Sequence, residues 1–326
     1  MPRRERRVAP SPVQELSQRG RGRWQRSLSD SPIFDRARSG ERLPGLLLAT
    51  PLLVVFSLSG FALAYVPLLA IVGDLEKLPL IWRDFYGYVV PLALVVAILW
   101  LWLAFGEKRP FRTLGFVGDK PLAKYLLGFL FGTGLLGLTV AFMAIAGVVA
   151  VDTRREVPSG IDALGAVLLF LFAFAVQAGS EEILFRGWFF PVLGARHKPW
   201  IGLVVSSVVF AAMHATANPI AVLNLLLFAV LLTLYTLKEK GLWGACGWHA
   251  GWNWAAGNLF GLEAAKRAPE GGTVFDLQTI GSSLLSGGAM GPKYGLMATA
   301  ALTIGVIALL LAPGAGLDRK HRPHSR

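Results

Sequence analysis

Apolar runs, each about as long as a bilayer is thick, follow one another from residue 44 almost to the C-terminus, broken by short polar connectors. A spanning helix needs about 20 mostly apolar residues, and the runs that approach this length are 44–71, 86–105, 123–150, 162–193, 199–216, 219–237, 242–262 and 294–313. The fourth exceeds one crossing, which predicts that it tilts or projects its second half towards the interface. The fifth and sixth are separated only by Ala217-Asn218-Pro219, a tight turn that makes them antiparallel neighbours. Gly128-xxx-Gly132 and Gly247-xxx-Gly251 mark helix faces that permit close approach in lipid. The pattern predicts an all-α fold, a polytopic membrane bundle of about eight transmembrane helices.

Composition agrees with that pattern and removes other classes. Hydrophobic residues make up 54% of the 326 residues and charged residues only 16%, against about 25% charged in a soluble domain. The net charge of +12 would suggest nucleic acid in a soluble protein. Here the basic residues cluster at the two ends and in short connectors, so membrane orientation accounts for them and no nucleic acid is expected. Residues 1–43, with eleven arginines and no apolar run, read as a basic, disordered N-terminal tail. The transmembrane domain then covers 44–314, and 315–326 form a basic C-terminal tail.

If the Arg-rich start is cytoplasmic, so are Lys108, Arg109, Arg112 and Lys120, then Arg196 and Lys198, then Lys238 and Lys240, and finally the C-terminal tail. Loops 151–160 and 263–293 are nearly charge-balanced and fall outside. This places both termini in the cytoplasm of a multi-pass cell-membrane protein, bacterial in character, with its basic ends on anionic lipid headgroups. The outer loop 263–293 exceeds a simple connector, so it caps the outer face or contacts substrate. The single cysteine, Cys246, lies in an apolar run and reads as packing.

Against this background a few polar residues stand out. Glu181, Glu182 and Arg186 sit in the fourth run, where a central charge costs roughly 2.5–3.5 kcal/mol on insertion scales. Of the five histidines, His214 and His249 fall inside spans, closing Phe210-Ala-Ala-Met-His214 and opening His249-Ala-Gly-Trp-Asn253. The end residues of each motif stand at i and i+4 and share a helical face. Glu182 and Arg186 are also four apart, in the orientation that favours an ion pair, whereas Glu181 is rotated about 100° away. Glu182 and Arg186 are therefore expected to neutralise one another while Glu181 points into an intramembrane polar cavity.

Glu181, His214, His249 and Asn253 together supply what amide hydrolysis needs. A carboxylate can take a proton from water, and an imidazole can orient that water or shuttle the proton to the leaving amine. A second imidazole and an amide on one helical face can donate to the developing oxyanion, a contribution of about 3–4 kcal/mol per donor. No serine or cysteine nucleophile is required.

The three ordered motifs, Glu181-Glu182-Ile-Leu-Phe-Arg186, Phe210 to His214 and His249 to Asn253, resemble those of the CPBP (Abi) intramembrane proteases. That family includes the CAAX prenyl-processing endopeptidase and bacteriocin-associated bacterial proteins. The likeness covers about residues 160–262, the catalytic core, and includes Gly187 after the arginine. It implies a glutamate-dependent endopeptidase in an eight-helix bundle. Glu181 with His214 would activate water, His249 with Asn253 would form the oxyanion site, and Glu182–Arg186 would be a supporting ion pair. The implied partner is a membrane-associated peptide or protein substrate, and no cofactor is implied. Two other readings stand beside it: a zinc protease with Glu181, His214 and His249 as ligands, and a non-catalytic membrane scaffold or immunity protein.

Overall fold

Lipid offers a backbone no hydrogen-bond partners, so apolar stretches close their own bonds as helices. A computed structural model describes residues 31–153, 158–262 and 272–312, and in it helices occupy all eight apolar runs. In chain order they are α1 (Pro32–Arg38), α2 (Leu46–Val72), α3 (Leu80–Leu101), α4 (Pro121–Ile145), α5 (Leu164–Glu182), α6 (Phe190–Arg196), α7 (Pro199–Met213), α8 (Pro219–Glu239), α9 (Trp243–Trp254), α10 (Ser283–Ser286) and α11 (Leu296–Leu311). The chain is a multi-pass helical membrane protein. Among the described residues, five stretches are long and apolar enough to cross a bilayer: Leu46–Val72, Leu80–Glu107, Pro121–Ile145, Gly160–Arg196 and Pro219–Glu239.

The other three runs form shorter helices. α7 has 15 residues, α11 has 16, and α9 has 12 before a π-helical turn over Ala255–Leu259. At 1.5 Å per residue α7 is about 22 Å long, short of a hydrocarbon core of about 30 Å. α8 starts directly after the turn, where Asn218 Oδ1 accepts from the backbone N–H groups of Ile220 and Ala221 at 2.9 and 3.2 Å and Pro219 fills the first helical position.

Two π-helical turns fall beside the polar motifs. One, over Ile183–Phe189, joins α5 to α6 and contains Arg186, and the other follows Asn253. Such turns recur at functional sites because the extra residue re-aims side chains within a continuous helix. α4 and α9 pack closely through glycine. A Cβ on Gly132 would collide with the Trp248 carbonyl, one on Gly247 with the Tyr125 carbonyl, and one on Gly251 with the Phe129 carbonyl. This contact fixes α9, and with it His249 and Asn253, against a full-length span.

Two features were not foreseen. A two-stranded antiparallel ribbon, β1 (Val149–Val151) with β2 (Leu277–Thr279), pairs Ala150 with Gln278 and ties the loop before α11 to the end of α4. The last part of the predicted tail is ordered as α1. Its Phe34 is fully buried edge-on against Phe190 at 5.4 Å, and Arg36 Nη2 donates to the Lys240 carbonyl at 2.8 Å. Burial lowers the Arg36 guanidinium below its ordinary range, with Asp35 opposing the shift. Three aromatic and aliphatic residues, Ile33, Phe34 and Ala37, give this segment the apolar face that the arginine count concealed. Residues 1–30 and the C-terminal tail lie outside the described residues.

Candidate active site

α5, α7 and α9 bring the three motifs to one region of the bundle. At the end of α5, Glu182 is fully buried and its Oε1 accepts from Arg186 Nη1 at 2.9 Å. The same oxygen lies 2.8 Å from His249 Nδ1. A carboxylate without a proton only accepts, so Nδ1 carries the hydrogen and Nε2 faces the other way. His249 Nε2 stands 3.9 Å from Glu181 Oε2. One buried glutamate thus serves two partners, while its neighbour keeps a side chain 19% exposed on a cavity wall.

Aromatic rings enclose this cluster. Phe210 lies under the Arg186 guanidinium, with Cζ 4.5 Å from the ring centroid, and its ring is 4.8 Å from that of His214. Phe228 meets His249 edge-on at 4.9 Å. His214 itself is the C-cap that follows α7 rather than a residue inside a span. Its Nδ1 lies 2.8 Å from the Phe210 carbonyl, which leaves Nε2 directed elsewhere. Ala215, immediately after it, adopts the left-handed region at φ 48°, a conformation that costs an L-residue roughly 1–2 kcal/mol and turns the chain sharply away.

Two cavities flank the cluster and share Phe210 and His214 as walls. One, of about 190 Å³, is bordered by His249, Asn253, Gln177, Asn224 and Lys293 as well as by aromatic residues. The other, of about 270 Å³, lies towards α2 and α3, is walled mainly by apolar residues such as Phe61, Leu92 and Val95, and is bordered by Glu181. Glu181 and His214 face this second space together. The structure therefore gathers Glu181, Glu182, Arg186, His214, His249 and Asn253, and pairs Glu182 with both Arg186 and His249.

Three residues here were missed from sequence. Gln177, one turn before Glu181, donates through Nε2 to Glu181 Oε1, and its Oε1 accepts from Asn253 Nδ2 at 2.9 Å. Its signal was an amide at i, i+4 from a glutamate in an otherwise apolar run. Lys293 Nζ donates to Asn253 Oδ1 at 3.3 Å. Asn224 Nδ2 donates to the carbonyls of Lys293 and Gly295, each at 3.0 Å, anchoring the loop before α11 to α8. No local spacing in the sequence announces these two contacts.

The zinc alternative meets a geometric test. Among the described residues, no three or more His, Cys, Asp or Glu side chains converge to hold a metal ion, so Glu181, His214 and His249 do not close into a ligand set.

No curated protein and no solved structure matches the chain. Residues 163–255 match the family described as Type II CAAX prenyl endopeptidase Rce1-like. That stretch runs from the start of α5 to just past Asn253 and contains all three motifs. Over this stretch, which builds the cluster, the chain is thus similar to the Rce1-like family of type II CAAX prenyl endopeptidases, the CPBP family.

Proposed function

We propose that this protein is an intramembrane endopeptidase that hydrolyses a peptide bond in a membrane-associated protein or peptide, with Glu181 as the general base. The observation that carries this reading is the unequal treatment of two adjacent glutamates. Glu182 is fully buried and neutralised by Arg186, while Glu181 is left on a cavity wall shared with His214.

In this mechanism a water between Glu181 and His214 gives a proton to the Glu181 carboxylate and attacks the scissile carbonyl carbon. The carbonyl oxygen becomes an oxyanion facing α9, where His249 Nε2 and the second N–H of Asn253 Nδ2 donate to it. Donation from Nε2 requires the ring to hold a second proton, and the Glu182 carboxylate at Nδ1 faces that charge. The C–N bond then breaks as the proton from Glu181 passes by way of His214 to the leaving amine. One water is consumed, and a carboxylic acid and an amine are formed, which settle as carboxylate and ammonium by proton transfer between them. The apolar cavity towards α2 and α3 suits an apolar substrate side chain or lipid group next to the scissile bond.

Cleavage of a panel of membrane peptides and CAAX-type lipopeptides by purified wild type and Glu181→Gln, each with and without a strong chelator, tests this reading. Activity lost in Glu181→Gln and indifferent to chelator supports a glutamate peptidase. Activity abolished by chelator overturns it, and the absence of cleavage by wild type on native membrane substrates favours a binding role instead.

A further inference from the structure

An unbroken chain of donors runs from the outer loop to the proposed base. Lys293 Nζ donates to Asn253 Oδ1 at 3.3 Å, Asn253 Nδ2 donates to Gln177 Oε1 at 2.9 Å, and Gln177 Nε2 donates to Glu181 Oε1. Chemistry at the two ends fixes its direction. An ammonium only donates and a carboxylate only accepts, so the two amides between them must each accept from the lysine side and donate towards the glutamate. Hydrogen bonds linked in this way polarise one another, most of all with a charge at each end and little water between.

The lysine end is held in place by the fold. Buried Asn224 on α8 donates to the carbonyls of Lys293 and Gly295 and accepts from Thr299 Oγ1 at 2.7 Å. The short α11 begins at Leu296, and Lys293 and Tyr294 just before it line the cavity. A cation from a loop far along the chain is thereby delivered to Asn253.

From this geometry we infer that Gln177 and Lys293 are positioning residues of the hydrolytic site, which act through Asn253 to fix the orientation of the Glu181 carboxylate. The inference rests on the proposed peptidase reading. Asn253 then has two roles, since one N–H holds Gln177 and the other remains for the oxyanion. The capping loop thus completes the site, because the lysine on it is the far end of the relay.

Two substitutions test it, Gln177→Leu and Lys293→Met. Each is expected to lower kcat by about 10- to 100-fold, the scale of a misplaced catalytic group, with KM within about twofold and an unchanged melting temperature for Lys293→Met. The double variant is expected to be hardly slower than either single one, since both break the same chain. A readout independent of turnover is the infrared carboxylate band of Glu181, identified by its loss in Glu181→Gln, which is expected to shift in both variants. Multiplicative losses, a Lys293→Met effect confined to KM, or an unshifted band in Lys293→Met would overturn the relay. If wild type cleaves nothing while the band shifts in both variants, the peptidase reading fails and the relay stands.

Discussion

At the level of single residues, the balance at Glu182 decides how the site holds together. Its Oε1 accepts from both Arg186 and His249 inside a ring of aromatic side chains. Arg186→Ala strands a buried carboxylate and is expected to cost about 3–5 kcal/mol of stability, read as a lower melting temperature in detergent. Replacing both members, Glu182→Met with Arg186→Met, should recover most of that stability, because an apolar pair of similar volume carries no desolvation penalty. The double variant should remain slow, because His249 has lost the acceptor that orients its ring. Asn253→Ala is expected to lower the rate on the order of 10²–10³-fold for the lost donor, whereas Glu181→Ala should abolish cleavage. These residues were legible in the sequence because charge and amide in an apolar run are costly and because i, i+4 spacing is local. Gln177 showed the same spacing but no charge. Lys293 could not be read, since its partner lies 40 positions away and only the fold brings them together.

Among the elements, α9 carries two of the proposed site residues on a helix of only 12 residues, and its position depends on α4. Their backbones touch at Gly132 against Trp248 and at Gly247 against Tyr125, and carbonyl oxygens there cannot yield as a flexible side chain would. Gly132→Val or Gly247→Val should therefore push the helices apart, costing about 1–3 kcal/mol by overpacking and reducing activity by displacing His249 and Asn253. Gly134→Val, on the same helix with open space around it, should change neither melting temperature nor rate. The glycine spacing and the α7–α8 turn were visible as local pattern. The ribbon from Val149 to Thr279 was not, because three-residue strands far apart in sequence leave no periodic trace. The burial of Phe34 was hidden in the same way, since arginines dominate the composition around it.

Across the whole molecule, charge and helix length divide the bundle into two unlike faces. On one, α1, the connector after α3 and those flanking α6, α8 and α9 meet: Leu46 N donates to His197 Nε2, Leu242 N to the Gly115 carbonyl, and Lys108 pairs with Glu41 at 2.8 Å. Arg36, Arg112, Lys120, Arg196, Lys198, Lys238 and Lys240 lie on these segments. The other face holds the ribbon, the His214–Asn218 turn and the loop before α11, where acidic residues such as Asp74, Glu76, Asp152, Asp162 and Asp276 are offset by basic ones such as Lys77, Arg83 and Lys293, so it lacks the positive excess of the first. α7 and α9 start from the basic face and α11 ends there, each shorter than a full crossing, and the polar cavity lies towards the other, charge-balanced face. Positive connectors stay in the cytoplasm, so the cavity is expected to take its substrate from the outer side. Cysteine accessibility checks this, since the native Cys246 is buried and should remain silent. Ala217→Cys in the His214–Asn218 turn should react with a membrane-impermeant maleimide added to intact cells, and Lys198→Cys only after lysis. The opposite pattern would turn the site towards the cytoplasm and make a cytoplasmic lipoprotein tail the substrate to seek. The expected pattern directs the search to exported or surface-anchored peptides.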